Sequence, residues 1–93
     1  MRKRVKFFSR SFDLRLYKLS KGLYEDIRYN GEAIPCVRLT DQSADGYFYT
    51  MLKDTDCDIA INVDEDAFIM DPGALVDLID VAIKEGYANI GYS

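Results

Sequence analysis

The sequence predicts an α/β fold, with a small, mostly parallel sheet flanked by helices. Three observations support this class. Residues 57–63 form an apolar, β-branched run that is typical of a central strand. Residues 72–85 have the apolar spacing of an amphipathic helix. Helical and extended patterns also alternate along the chain, which favours parallel strands joined by helical connections.

The first third of the chain has mixed periodicity. Residues 12–16 alternate between apolar and polar side chains as a strand would, whereas four apolar residues have helical spacing. On that spacing we predict a helix over 12–28, ended by Asn30 and Gly31, which tolerate the left-handed backbone that follows a helix. The residues on the helical stripe are Leu16, Leu19, Leu23 and Ile27.

Three shorter elements are predicted in the rest of the chain. A strand over 35–39 begins at Pro35, because proline cannot donate to a ladder. Ser43 is a suitable N-cap for a helix that ends near Lys53. A last strand covers 88–92, so the predicted order is helix, strand, helix, strand, helix, strand.

The helix over 72–85 has the clearest boundaries. Asp71 is a good N-cap, and Pro72 has the backbone angle required at the first helical position. Gly86 is typical of the residue just beyond a helix. The apolar stripe consists of Leu75, Leu78, Ile79, Ala82 and Ile83.

Length and composition indicate a single domain over 1–93. A hydrophobic fraction of 48% is enough for one packed core. No apolar run approaches the roughly 20 residues that span a bilayer, so we expect a cytoplasmic chain without a transmembrane segment. The chain has no His, and Cys36 and Cys57 are far apart, which disfavours a zinc site.

Charge is divided unevenly along the chain. Residues 1–30 contain nine Lys and Arg against three Asp and Glu, whereas residues 31–93 contain three against thirteen. The basic segment carries no recognised nucleic-acid motif and no interleaved aromatic and basic pattern. We therefore interpret it as a solvated face and expect no nucleic-acid partner.

An acidic segment, Asp64-Glu65-Asp66, follows directly after the predicted central strand. Ligands of parallel α/β sheets bind at the carboxyl ends of the strands. Because successive side chains of a strand point to opposite faces, we expect Asp64 and Asp66 on one side and Glu65 on the other. Two carboxylates on a rigid strand end suit Mn²⁺ or Mg²⁺, and such a metal neutralises a diphosphate leaving group.

Two stretches, 58–68 and 71–75, resemble the Asp-x-Asp core of GT-A fold glycosyltransferases. In that family a hydrophobic strand ends in Asp-x-Asp, and a helix begins a few residues later. The stretches are Asp58-Ile59-Ala60-Ile61-Asn62-Val63-Asp64-Glu65-Asp66-Ala67-Phe68 and Asp71-Pro72-Gly73-Ala74-Leu75. The resemblance covers roughly residues 45–92 and implies that the sheet is the Rossmann-like half of a GT-A fold.

The resemblance also implies an activity, namely the transfer of a sugar from a nucleoside diphosphate sugar to a glycan or another hydroxyl acceptor. It assigns Asp64 and Asp66 to Mn²⁺ or Mg²⁺ and to the donor's ribose and diphosphate. Glu65 is expected to help position the donor.

Two features depart from the family pattern. Residues 4–8 are a poor equivalent of the hydrophobic strand that opens such domains. The acceptor-binding half, which carries the catalytic base in inverting enzymes, has no counterpart before the sequence ends. We therefore expect either a fragment, that is a partial GT-A domain, or a short chain whose site is completed by another polypeptide, and we assign no catalytic residue.

Calcium binding is one alternative. Positions 1, 3, 5 and 12 of an EF-hand loop counted from Asp54 are occupied by Asp54, Asp56, Asp58 and Glu65. Position 6, which requires Gly for a sharp turn, is Ile59, and this argues against such a loop.

A non-catalytic interaction module is the other alternative, because tyrosines in the second half of the chain would suit a partner surface. A sugar-nucleotide site would bind UDP or GDP only with Mn²⁺ or Mg²⁺, whereas an interaction module would not depend on metal. The tyrosines are Tyr47, Tyr49, Tyr87 and Tyr92.

Overall fold

The computed structural model describes residues 4–40, 43–54, 56–64, 72–86 and 89–92. Four strands form a parallel sheet in the order β4-β1-β5-β6, and β2 and β3 form a separate antiparallel hairpin. The predicted α/β class is confirmed, and the sheet is compatible with a Rossmann-like fold. The elements are β1 (Val5–Ser11), α1 (Leu14–Lys21), β2 (Arg28–Tyr29), β3 (Glu32–Ala33), β4 (Cys36–Thr40), α2 (Ala44–Leu52), β5 (Ile59–Val63), α3 (Pro72–Glu85) and β6 (Asn89–Tyr92).

β1 is a central strand, which corrects the interpretation of residues 4–8 as a poor opening strand. It pairs with β4 on one side and with β5 on the other. Phe7 and Phe8 lie in the cores on opposite faces of the sheet and are 1% and 2% exposed. Basic residues obscure the strand pattern, but Lys6 is neutralised by an ion pair and Arg10 lies near the strand end.

The predicted helix over 12–28 is wrong in extent. The side chain of Asp13 accepts hydrogen bonds from the backbone N–H groups of Arg15 and Leu16, so α1 begins just after this N-cap. The helix ends at Lys21, and turns and the β2–β3 hairpin follow.

Core packing explains why the helix ends early. Tyr24 lies beyond α1, is 1% exposed and packs against Phe7 with ring centroids 4.6 Å apart. Ile27 is buried in the same core, whereas Leu19 and Leu23 of the predicted stripe are 61% and 42% exposed. Contacts with the sheet therefore outweigh the helical spacing of the leucines.

Asn30 and Gly31 form the turn of the hairpin and do not follow a helix. Their φ angles are 53° and 78°. Two consecutive positive φ angles match the right-handed twist of a two-residue hairpin, and Asn-Gly is the favoured pair for them. The left-handed backbone was predicted correctly, but the prediction that these residues end a helix is wrong, because the elements on either side are strands.

The later elements follow the predictions closely. β4, α2, β5 and β6 lie within one or two residues of the predicted bounds, and the helix over 72–85 is confirmed. Leu78 is the exception on the α3 stripe, since it is 43% exposed while Leu75 and Ile79 are fully buried. Within the described residues, no helix is long and apolar enough to cross a membrane.

Two separate cores lie on the two faces of the sheet. We name these the α3 face and the α2 face after the helices that cover them. The α3 face buries Val5, Phe7, Tyr24, Ile27, Ile34, Ile59, Ile61, Val63, Leu75, Ile79 and Ala82. The α2 face buries Phe8, Tyr47, Met51 and Ala60.

An ion pair between Lys6 and Asp54 makes stability depend on pH. Lys6 Nζ lies 2.8 Å from Asp54 Oδ2, and the side chains are 18% and 19% exposed. The hydrogen bond from Lys6 lowers the pKa of Asp54. Asp54 therefore stabilises the folded state fully above its ordinary pKa of about 4. This stabilisation is lost as the pH falls through the lower pKa that Asp54 has in the folded state.

We expect Asp54→Asn to flatten this pH dependence. Urea unfolding between about pH 2 and pH 6 should show a steeper loss of unfolding free energy in the wild type than in the variant. Asp77→Asn, at an exposed position of α3, is the control and should follow the wild type. Parallel curves for the wild type and Asp54→Asn would show that the pair does not contribute.

Candidate functional site at the carboxyl ends of β1 and β5

The strand order reverses at β1. The chain passes from β1 to β4 at one side and then crosses to β5 at the other side. In parallel α/β sheets, such a reversal produces a crevice at the carboxyl ends of the two strands that flank it. We therefore expect a ligand site at the carboxyl ends of β1 and β5.

Asp64 lies at this position. It follows β5 directly and is exposed. Strand alternation places it on the same side as Asn62, which is the α2 face. Glu65 and Asp66 lie outside the described residues, so the structure locates one member of the predicted metal-binding pair.

A partly buried hydrogen bond joins α2 to the end of β5. Tyr47 of α2 is 2% exposed, and its hydroxyl donates to Asn62 Oδ1. Burial raises the pKa of Tyr47, the negative charge of Asp64 raises it further, and Arg10 opposes this effect. The hydroxyl therefore stays protonated at neutral pH and remains a donor to Asn62.

Arg10 is the cation of this site. Phe8 and Asn62 are the last residues paired in the β1–β5 register, and Arg10 and Asp64 each follow two residues further along the chain. Alternation along each strand then places both residues on the α2 face, and the charges of both act on Tyr47. The Arg10 guanidinium carbon also lies 5.5 Å from the centroid of the Phe12 ring.

Two buried serines occupy the other face of β1. Ser9 and Ser11 are 1% and 0% exposed. Ser11 Oγ accepts a 2.9 Å hydrogen bond from Arg38 Nε, whereas Ser9 Oγ has no partner in the described part of the chain. A buried hydroxyl without a partner is uncommon and costs stability. Ser9 therefore carries an unused hydrogen-bonding group close to the end of β1.

The segment considered for calcium does not have the geometry of an EF-hand. Residues 59–63, which would be positions 6 to 10 of the loop, form β5 inside the sheet. Asp54 is paired with Lys6, and Asp58 is paired with Arg4 at 3.3 Å. Basic residues of the chain thus neutralise two of the proposed calcium ligands.

Sequence reasoning missed three members of the site. Asn62 had a recognisable signal, since it precedes Asp64 by two residues and so shares its side of the strand. Tyr47 was considered for a partner surface, but it is 2% exposed, and its contact with β5 depends on the packing of α2. Arg10 was missed because β1 was not recognised as a strand.

The fold and site define an α/β protein with a four-stranded parallel sheet and polar side chains where the strand order reverses. No family model, no curated protein and no solved structure matches the chain. Across the ranges that the structure describes, no group of three or more acidic, Cys or His residues is arranged to hold a metal ion.

Proposed function

We propose that this chain is the nucleotide-sugar-binding part of a metal-dependent glycosyltransferase of the GT-A type. One observation carries the proposal: Asp64 is an exposed carboxylate at the end of an interior parallel strand, beside the point where the strand order reverses. Ligand sites of parallel α/β sheets concentrate at that position.

The chemistry of the acidic segment fits a hard divalent cation. Asp64 and Asp66 would supply carboxylate oxygens to Mn²⁺ or Mg²⁺, and Glu65 would help to position the donor. When bound, the cation neutralises the charge that develops on the leaving diphosphate. The donor is a nucleoside diphosphate sugar, and the acceptor supplies a hydroxyl group.

The proposed activity requires an acceptor-binding part and, in an inverting enzyme, a catalytic base. Neither is assigned among these residues. We therefore propose that another polypeptide segment completes the active site, and that the chain by itself binds the donor without transferring the sugar.

A non-catalytic interaction module is the second candidate, and the surface of α2 favours it. Three large apolar side chains on this helix are exposed by 42% to 65%, which is unusual for a solvated helix face. They are Phe48, Tyr49 and Leu52. This function predicts binding to a protein without any requirement for metal or nucleotide.

An amide NMR titration separates the two candidates. Adding Mn²⁺ should broaden resonances of residues 62–68, and adding UDP or GDP with Mg²⁺ should shift them. Both effects should disappear in Asp64→Ala and Asp66→Ala and persist in Asp77→Ala, which removes an exposed carboxylate on α3. Broadening centred on residues 54–58, or none at all, would overturn the sugar-nucleotide assignment.

A further inference from the structure

Arg10 occupies an unusual position for a surface arginine. It lies on the central strand β1 and is only partly exposed; like Asp64 on the next strand, it lies two residues beyond the last recorded β1–β5 pair, Phe8 and Asn62. Among the described residues, no carboxylate forms an ion pair with it, and this includes Asp64. By contrast, Arg4 and Lys6 of the same segment are both paired with aspartates.

The contact with Phe12 helps to orient the Arg10 side chain. Phe12 follows β1 directly, and its ring lies 5.5 Å from the guanidinium carbon, so the guanidinium is directed toward the carboxyl end of the strand. An arginine held against an aromatic ring retains N–H donors at its edge. Those donors match the spacing of two oxygens on one phosphate group.

Asp64 and Arg10 together present opposite charges to the same small region. If only Asp64 were present, its negative charge would repel a phosphorylated ligand unless a cation lay between them. If only Arg10 were present, it could bind a phosphate group without any metal. A ligand that carries both a divalent cation and phosphate groups complements the two residues at once.

We infer that Arg10 binds the phosphate groups of the ligand while Asp64 holds the metal that accompanies them. This assignment deepens the proposed function and rests on it for the identity of the ligand as a nucleoside diphosphate sugar. Arg10 does not belong to the Asp-x-Asp segment, so its contribution to ligand binding can be measured separately from that of Asp64.

Calorimetric titration of the full chain with pyrophosphate, in the presence of Mg²⁺, tests the inference. We expect Arg10→Gln to weaken binding about tenfold or more, which is typical for the loss of a charge-assisted hydrogen bond. Arg28→Gln removes the same charge from the exposed position on β2 and should bind within about twofold of the wild type. Equal affinities of Arg10→Gln and Arg28→Gln would overturn the inference, as would the absence of pyrophosphate binding by the wild type.

A measurement on the wild type covers the case in which Arg10→Gln fails to fold. The Nε–H resonance of Arg10, assigned by its loss in Arg10→Lys, should shift when pyrophosphate and Mg²⁺ are added. A shift confined to other arginines would overturn the inference.

Binding measurements with UDP and GDP then distinguish a failure of this inference from a failure of the proposed function. Pyrophosphate binding that depends on Arg10, without any UDP or GDP binding, supports the phosphate site and overturns the sugar-nucleotide function. Nucleotide binding that depends on Asp64 but is unchanged in Arg10→Gln supports the function and overturns the role of Arg10.

Discussion

Phe7→Ala is expected to lower the free energy of unfolding by about 3–5 kcal/mol, as large-to-small changes of buried aromatic residues do. Phe7 is 1% exposed on the central strand and packs against Tyr24 with ring centroids 4.6 Å apart. The substitution removes this contact and leaves a cavity between the sheet and the segment that follows α1. Urea unfolding monitored by circular dichroism gives the change directly.

The matched control is Phe12→Ala. Phe12 is 62% exposed just beyond the same strand, so its loss should cost less than about 1 kcal/mol. If the two variants were equally stable, β1 would not be the central strand of the sheet. Since a domain of this size has a total stability of about 5–15 kcal/mol, Phe7→Ala is also expected to be partly unfolded in mild denaturant.

Tyr47→Phe is expected to cost about 1–3 kcal/mol, because it leaves the half-buried Asn62 Oδ1 without its donor. The ring keeps its packing on the α2 face, so the effect isolates the hydroxyl. Tyr49→Phe is the control, because Tyr49 is 63% exposed on the same helix and its variant should match the wild type.

A double-mutant cycle identifies the cause of that loss. If the hydrogen bond is responsible, Tyr47→Phe combined with Asn62→Ala should cost less than the sum of the two single changes. Additive costs would contradict the coupling between α2 and β5. A positive result would also show that α2 stabilises the end of the strand from which Asp64 extends.

This coupling matters for the proposed site. Asp64 is exposed, but Asn62, the preceding residue on the α2 face, is held in place by a hydrogen bond from the Tyr47 hydroxyl. A ligand site built on a strand end is more precise when neighbouring side chains are fixed in this way. We therefore expect Tyr47 and Asn62 to act as positioning residues for Asp64.

Much of the fold was predictable where local and tertiary preferences agree. The helix over 72–85 is predicted from an aspartate suited to the N-cap, a first-turn proline and an apolar stripe, and all of these sequence signals depend on residues close together in the chain. The run that forms β5 is mostly apolar, as an interior parallel strand requires. For the same reason the position of Asp64 at a strand end could be predicted.

The N-terminal third shows where local reasoning fails. The spacing of its leucines favours a long helix, but Tyr24 and Ile27 gain more by packing on the sheet than they would in a continued helix. β1 was missed for a related reason. Its charged residues looked incompatible with a central strand until their partners, Asp54 among them, were known from the tertiary structure.

By itself, the sequence determined the α/β class, the second half of the element order and the strand-end position of Asp64. These features depend on periodicity and caps, which act over a few residues. The tertiary structure decided that β1 is central, that the hairpin replaces the end of the predicted helix, and that Arg10, Tyr47 and Asn62 lie near Asp64. Those features depend on contacts between residues that are far apart in the chain, and no local pattern encodes such contacts.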